Sequence, residues 1–136
     1  MQDLHGKTAL ITGGSKGIGL KTAQALADNG VNVAIVGRNN ETLKDALLTL
    51  EKKDVKAIAI SGDVSIKEDV QNIVDEVLKD FGRIDILINN AGVMGGGSFF
   101  EDNEEMFRQM MDVNVFGMYY MMKAVLPGMQ QQKSGD

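Results

Sequence analysis

Residues 7–19 read KTALITGGSKGIG, from Lys7 to Gly19. The first six form a short apolar run of the type found in strands buried on both faces of a parallel sheet. Gly13, Gly17 and Gly19 follow at once, with Ser15, Lys16 and Ile18 among them, and a helical pattern opens at Gly17. A strand that feeds a glycine-rich turn and then a helix N-terminus is suited to phosphate. Unpaired N–H groups and partial positive charge gather there, and residues without Cβ let a diphosphate approach the backbone. On spacing alone, a tight strand-to-helix turn without a ligand accounts for the same glycines.

Three further apolar runs alternate with helical patterns: 31–36 (VNVAIV), 56–60 (KAIAI) and 84–88 (IDILI). The first helix runs from Gly17 to about Asn29, with Gly30 as a left-handed stop. The second starts near Asn40 and carries the stripe Leu43, Ala46, Leu47, Leu50. The third begins at Ser65, where Ser65 and Glu68 are expected to make a capping box. Its buried stripe is Val70, Ile73, Val74, Val77 and Phe81, and Gly82 ends it. A fourth helix runs from about Asn103 to the region of Pro127. The stretch from Met106 to Met129 holds seven of the chain's nine methionines. They read either as soft core fillers or as a face that meets another surface. The tail MQQQKSGD reads as a loop. With right-handed crossovers, this order gives a parallel sheet covered on both faces.

The chain has 136 residues, 43% hydrophobic and 24% charged, enough for one domain over residues 1–136. A net charge of -5 without a basic patch leaves no nucleic-acid partner expected. There is no cysteine, which excludes disulfides, thiolate metal sites and cysteine nucleophiles. His5 is the only histidine, so no metal site is expected. The N-terminus lacks a signal-peptide pattern, and no apolar run approaches the roughly 18 residues a membrane span needs. The expectation is a cytoplasmic protein with no membrane partner.

The end of the second strand, VGRNN, narrows the ligand. NAD-binding βαβ units place Asp or Glu there to hold the ribose hydroxyls. Here Gly37 and Arg38 stand instead, and no carboxylate repels a 2′-phosphate. Arg38 and Lys16 can both reach one, which favours NADP(H) over NAD(H).

Four motifs in order now resemble the short-chain dehydrogenase/reductase family. Thr12, Gly13, Gly17 and Gly19 match its T-G-x-x-x-G-x-G. Asp63 matches the Asp after strand three, Asn89-Asn90-Ala91-Gly92 its N-N-A-G after strand four, and Asn114 its helix-four Asn. The resemblance covers essentially the whole chain as the N-terminal half of such an enzyme. Within the family it is similar to NADP-dependent reductases of the 3-oxoacyl-carrier-protein reductase or sugar-dehydrogenase kind. The implied fold is α/β: a three-layer, Rossmann-type doubly wound parallel sheet of order 3-2-1-4. It stops before strand five, with the edge beside strand four unpaired.

The resemblance also implies roles. Ser15, Lys16 and Ile18 line the diphosphate and adenosine phosphate, and Arg38 faces the 2′-phosphate. Asp63 and Val64 hold adenine. Asn90, Ala91 and Gly92 lie under the riboses, while Asn89 ties strands together. Asn114 keeps a water in a proton relay. The implied chemistry is hydride transfer between nicotinamide and a small-molecule alcohol or carbonyl substrate, with NADP(H) as cofactor and a homo-oligomer as the working form. The family's serine and Tyr-x-x-x-Lys pair are expected beyond Asp136. Tyr119 to Lys123 matches Y-x-x-x-K literally, but it lies on the wrong helix and reads as an ordinary i, i+4 pair. Ser98 and Gly95–Gly97 read as a mobile loop in a region the family uses near substrate. The alternative is a non-catalytic nucleotide-binding or oligomerising module.

Overall fold

Leu10 and Ile11 point to opposite faces of one sheet, and that alternation divides the apolar interior in two. In the computed structural model, which describes residues 3–96 and 103–136, β1 (Thr8–Thr12) is central and fully buried. It pairs in parallel with β2 (Asn32–Gly37) on one side and β4 (Ile86–Ile88) on the other. β2 pairs in turn with β3 (Ala57–Ser61), so the order is β3-β2-β1-β4. The register sets Thr12 opposite Val36 and Gly37 opposite Ser61. The C-terminal strand ends therefore line up along one rim.

Ala9, Ile11, Val33 and Ile35 face α1 (Gly17–Asp28) and α2 (Asn40–Leu50), which contribute Ala23, Ala27, Leu43, Ala46 and Leu50. Leu10, Ala34, Val36 and Ile60 face α3 (Lys67–Phe81) and the C-terminal helix. That helix has three parts: α4 (Glu104–Met111), a π-helical segment (Asp112–Gly117) and α5 (Met118–Gln132). The three-layer, doubly wound architecture is thus as expected. Among the described residues, no helix is long and apolar enough to cross a membrane.

Three local expectations are corrected. The Ser65–Glu68 capping box does not form. Asp63 Oδ1 instead accepts from the N–H (2.9 Å) and hydroxyl (2.6 Å) of Ser65, and α3 starts two residues later, after Ile66. The competing acceptor two residues upstream draws Ser65 into a turn. The tail is helical to Gln132, because buried Val125 and Met129 anchor the helix on both sides of Pro127. The β4 edge is not bare at Asp136. Lys133 adopts a left-handed φ of 55° and turns the chain back. Asp136 then donates its N–H to Asp85 O (3.0 Å) and accepts from Leu87 N–H (2.8 Å), the pattern of parallel pairing. Gly97 and Ser98 lie outside the described residues.

Candidate functional site

Where β1, β2 and β3 end together, a cleft of about 250 Å³ opens. Eight of the residues singled out in the sequence line it: Gly13, Ser15, Lys16, Arg38, Asp63, Val64, Ala91 and Gly92. They come from four separate turns that the sheet register brings to one rim. Gly62, Val36, Gly37, Asn39, Thr42, Val93 and Val113 complete the lining. The last four carry no motif of their own, and only the folded chain brings them here. Asn39 could be read as the α2 cap from its residue type. Its Oδ1 accepts from Thr42 N–H at 3.0 Å, so the N-terminus of α2 stands at the cleft.

The glycine turn is shaped by contact and by backbone angle at different positions. Gly17 opens α1 with φ +55°, a region in which a side chain is strained, yet there is open space around it. Gly19 has the reverse problem. A Cβ there would fall 2.2 Å from Gly13 O and 2.5 Å from Asn90 Nδ2. It is buried beneath the turn and does not line the cleft, whereas Ile18 is 79% exposed beside it.

Thr12 and Asn90 lock the turn to the end of β4. Thr12 Oγ1 accepts from Asn90 N–H and Ala91 N–H, both at 3.0 Å. Asn90 Nδ2 donates to Thr12 O (3.2 Å) and Gly13 O (3.0 Å). The strand-tying role expected of Asn89 is thus performed by Asn90. Its carboxamide is directed at the β1 backbone, and Ala91 and Gly92 provide the cleft wall.

Asn114 lies in the π-helical segment and outside the cleft lining. Its Oδ1 accepts from Val93 N–H and its Nδ2 donates to Val93 O, both at 2.8 Å. The side chain thereby fixes a residue that does line the cleft. Tyr119 and Lys123 lie on α5, away from it; Tyr119 packs edge-on against Tyr120 with centroids 5.9 Å apart.

The charged residues of the cleft lining are Lys16, Arg38 and Asp63. Lys16 and Arg38 are exposed, and among the described residues neither takes part in an ion pair. Cationic side chains beside a helix N-terminus are the chemistry that suits an anion. Asp63 joins the lining after β3, with Oδ1 already engaged by Ser65.

Comparison with known proteins places this architecture. The family model described as short chain dehydrogenase matches residues 7–136. An uncharacterized oxidoreductase of Staphylococcus saprophyticus is 38% identical over 136 residues, covering 99% of this chain and 58% of that protein. A xylitol dehydrogenase solved with NAD+ bound is 36% identical, with a TM-score of 0.95 over 98% of this chain and 52% of its own. An L-sorbose reductase from Gluconobacter frateurii, solved with NADPH and L-sorbose, is 33% identical, with a TM-score of 0.92 over the same shares. The chain thus spans little more than half the length of the proteins it matches. With the glycine turn, the cleft and these likenesses in agreement, the chain belongs to the short-chain dehydrogenase family.

Proposed function

We propose that these residues form the cofactor side of an NADP(H)-dependent oxidoreductase that acts on a small alcohol or carbonyl compound. The observation that carries this reading is the end of β2. Gly37 stands in the cleft wall, and exposed Arg38 and Lys16 flank the same opening without an anionic partner among the described residues. A 2′-phosphate would find a guanidinium, an ammonium and a helix N-terminus, with no carboxylate from β2 to repel it. The likeness to solved relatives supports a nicotinamide cofactor and does not choose between the two, since one holds NAD+ and another NADPH.

On this reading Ser15, Lys16 and Ile18 line the diphosphate and adenosine phosphate at the start of α1. Asp63 and Val64 flank the adenine, and Ala91 and Gly92 lie under the riboses. When bound, the nicotinamide gives or takes the hydride. Asn114 holds Val93 in place. Its Oδ1 keeps a second lone pair and its Nδ2 a second N–H, so it can still hold a relay water. A homo-oligomer fits the exposed apolar side chains of the C-terminal helix, among them Phe107, Phe116 and Leu126.

Titration of the full protein with NADPH and NADH tests the assignment. NADPH is expected to bind at least about tenfold tighter, and Arg38→Ala to remove most of that difference. Equal affinities in the unaltered protein would refute the NADP(H) assignment.

A further inference from the structure

Behind the adenine side of the cleft, the C-terminal helix comes unusually close to the loop after β3. A Cβ on Gly117 would fall 2.6 Å from Val64 Cγ2, 3.2 Å from Val64 Cβ and 3.3 Å from Val64 O. Carbon atoms pack at about 3.5–4.0 Å. The helix backbone therefore rests directly on Val64, an approach that only glycine permits.

Val64 is held from both sides. It is 6% exposed, packs into the core formed by α3 and α5, and lines the cleft next to Asp63. Its side chain is β-branched and stiff at χ1, so it cannot absorb a push by changing rotamer freely. Its carbonyl oxygen also lies near Gly117, so the peptide would move with the side chain. Gly117 is the last residue of the π-helical segment, and Val113, four residues earlier, lines the same cleft. One turn of helix thus supplies part of the cleft wall directly and supports another part from behind.

We infer that Gly117 is a positioning residue for the adenosine end of the cofactor: its bare backbone sets how far Val64 stands into the cleft. The inference rests on the reading that this cleft takes the adenosine end of NADP(H). A methyl at position 117 drives Val64, and the peptide that carries it, toward the adenine.

The probe is adenosine 2′,5′-bisphosphate, titrated calorimetrically into the full protein. Gly117→Ala is expected to weaken binding about tenfold, and Val64→Ala in the same chain to recover most of the loss. Alanine also favours helix over glycine, so a purely structural effect would not combine weaker binding with unchanged or raised thermal stability. Unchanged affinity in Gly117→Ala would overturn the inference, and so would a loss that Val64→Ala does not repair. Should Gly117→Ala fail to fold, the comparison moves to Val64→Ala alone against the double variant. The added methyl then refills the space, and the double variant is expected to bind more tightly; equal or weaker binding would overturn the inference. If the unaltered protein does not bind the bisphosphate, the proposed cofactor reading falls and this inference with it. A change confined to the variants bears on Gly117 alone.

Discussion

The hydroxyl oxygen of Thr12 helps join the glycine turn to the end of β4, and its removal is the sharpest test of that join. Thr12 is 1% exposed, and its Oγ1 accepts from the N–H groups of Asn90 and Ala91, each at 3.0 Å. Thr12→Val keeps the shape and β-branching and deletes the hydroxyl, which accepts those two bonds and donates one long bond to Ile88 O at 3.4 Å. An orphaned backbone donor costs about 1–3 kcal/mol when buried. Asn90 and Ala91 are half-buried, so each takes the lower part of that range and the pair costs about 2–3 kcal/mol. That is a large share of the roughly 5–15 kcal/mol that holds a domain together. Urea unfolding, with a slope of about 1–3 kcal/mol per molar, should show the midpoint fall by about 0.7–3 M with the slope unchanged. Thr12→Ser is the control: it keeps the hydroxyl, loses a methyl, and should cost about 1 kcal/mol. If Thr12→Val proves no more costly than Thr12→Ser, the hydroxyl does not hold the two strands and the argument fails.

The other predictions test separate parts of the site and its frame. Asp85 is 4% exposed; its Oδ2 accepts from Thr8 N–H at 3.0 Å and its Oδ1 from Arg83 Nε at 2.9 Å. Asp85→Ala should lower stability by about 2 kcal/mol in thermal unfolding, while breaking the solvated Asp28–Lys53 pair with Asp28→Ala should cost less than about 1 kcal/mol. Gly17→Ala meets open space and only a left-handed φ, so it should cost about 1–2 kcal/mol and leave the fold intact. Gly19→Ala would place its Cβ 2.2 Å from Gly13 O, and it should abolish nucleotide binding even where circular dichroism shows a folded chain. Gly37→Asp sets a carboxylate where the cofactor preference is decided, and the NADPH to NADH affinity ratio should invert; an unchanged ratio would place the discrimination elsewhere.

The features legible in the sequence were those that a single residue type dictates locally. A strand that ends in glycines and opens a helix can be read without tertiary contacts, as can a left-handed stop at Gly30 or Gly82. Requirements imposed from a distance were not legible. Gly14 carries no signal of its own beside Gly13, yet a Cβ on it would fall 2.7 Å from Ile35 Cγ2 in the neighbouring strand. In Asn89-Asn90 two identical neighbours differ only in which way they point, and which of them ties β4 to β1 is settled by the register of Thr12. At Ser65 the residue pattern of a capping box was present, but Asp63 competed for the same hydroxyl and N–H and won.

The C-terminal helix shows how regularity itself can hide a phase. Its buried positions fall every fourth residue, at Val113, Gly117, Met121, Val125 and Met129. Four residues overshoot a 3.6-residue turn by about 40°, so in an unbroken α-helix such a series drifts around the axis and leaves the core. The π-helical segment at 112–117 adds a wider turn at the start of the series and offsets part of that drift. Methionines on several faces of the helix hide this stripe from a periodicity reading, since Met111 and Met118 are exposed while Met121 is buried. The wider turn also joins structure to function. It lets one helix present Val113 to the cleft and Asn114 to Val93, and still lay Met121, Val125 and Met129 in the core. A helix of uniform α period could satisfy the core or the cleft, and the irregular turn lies where both demands meet.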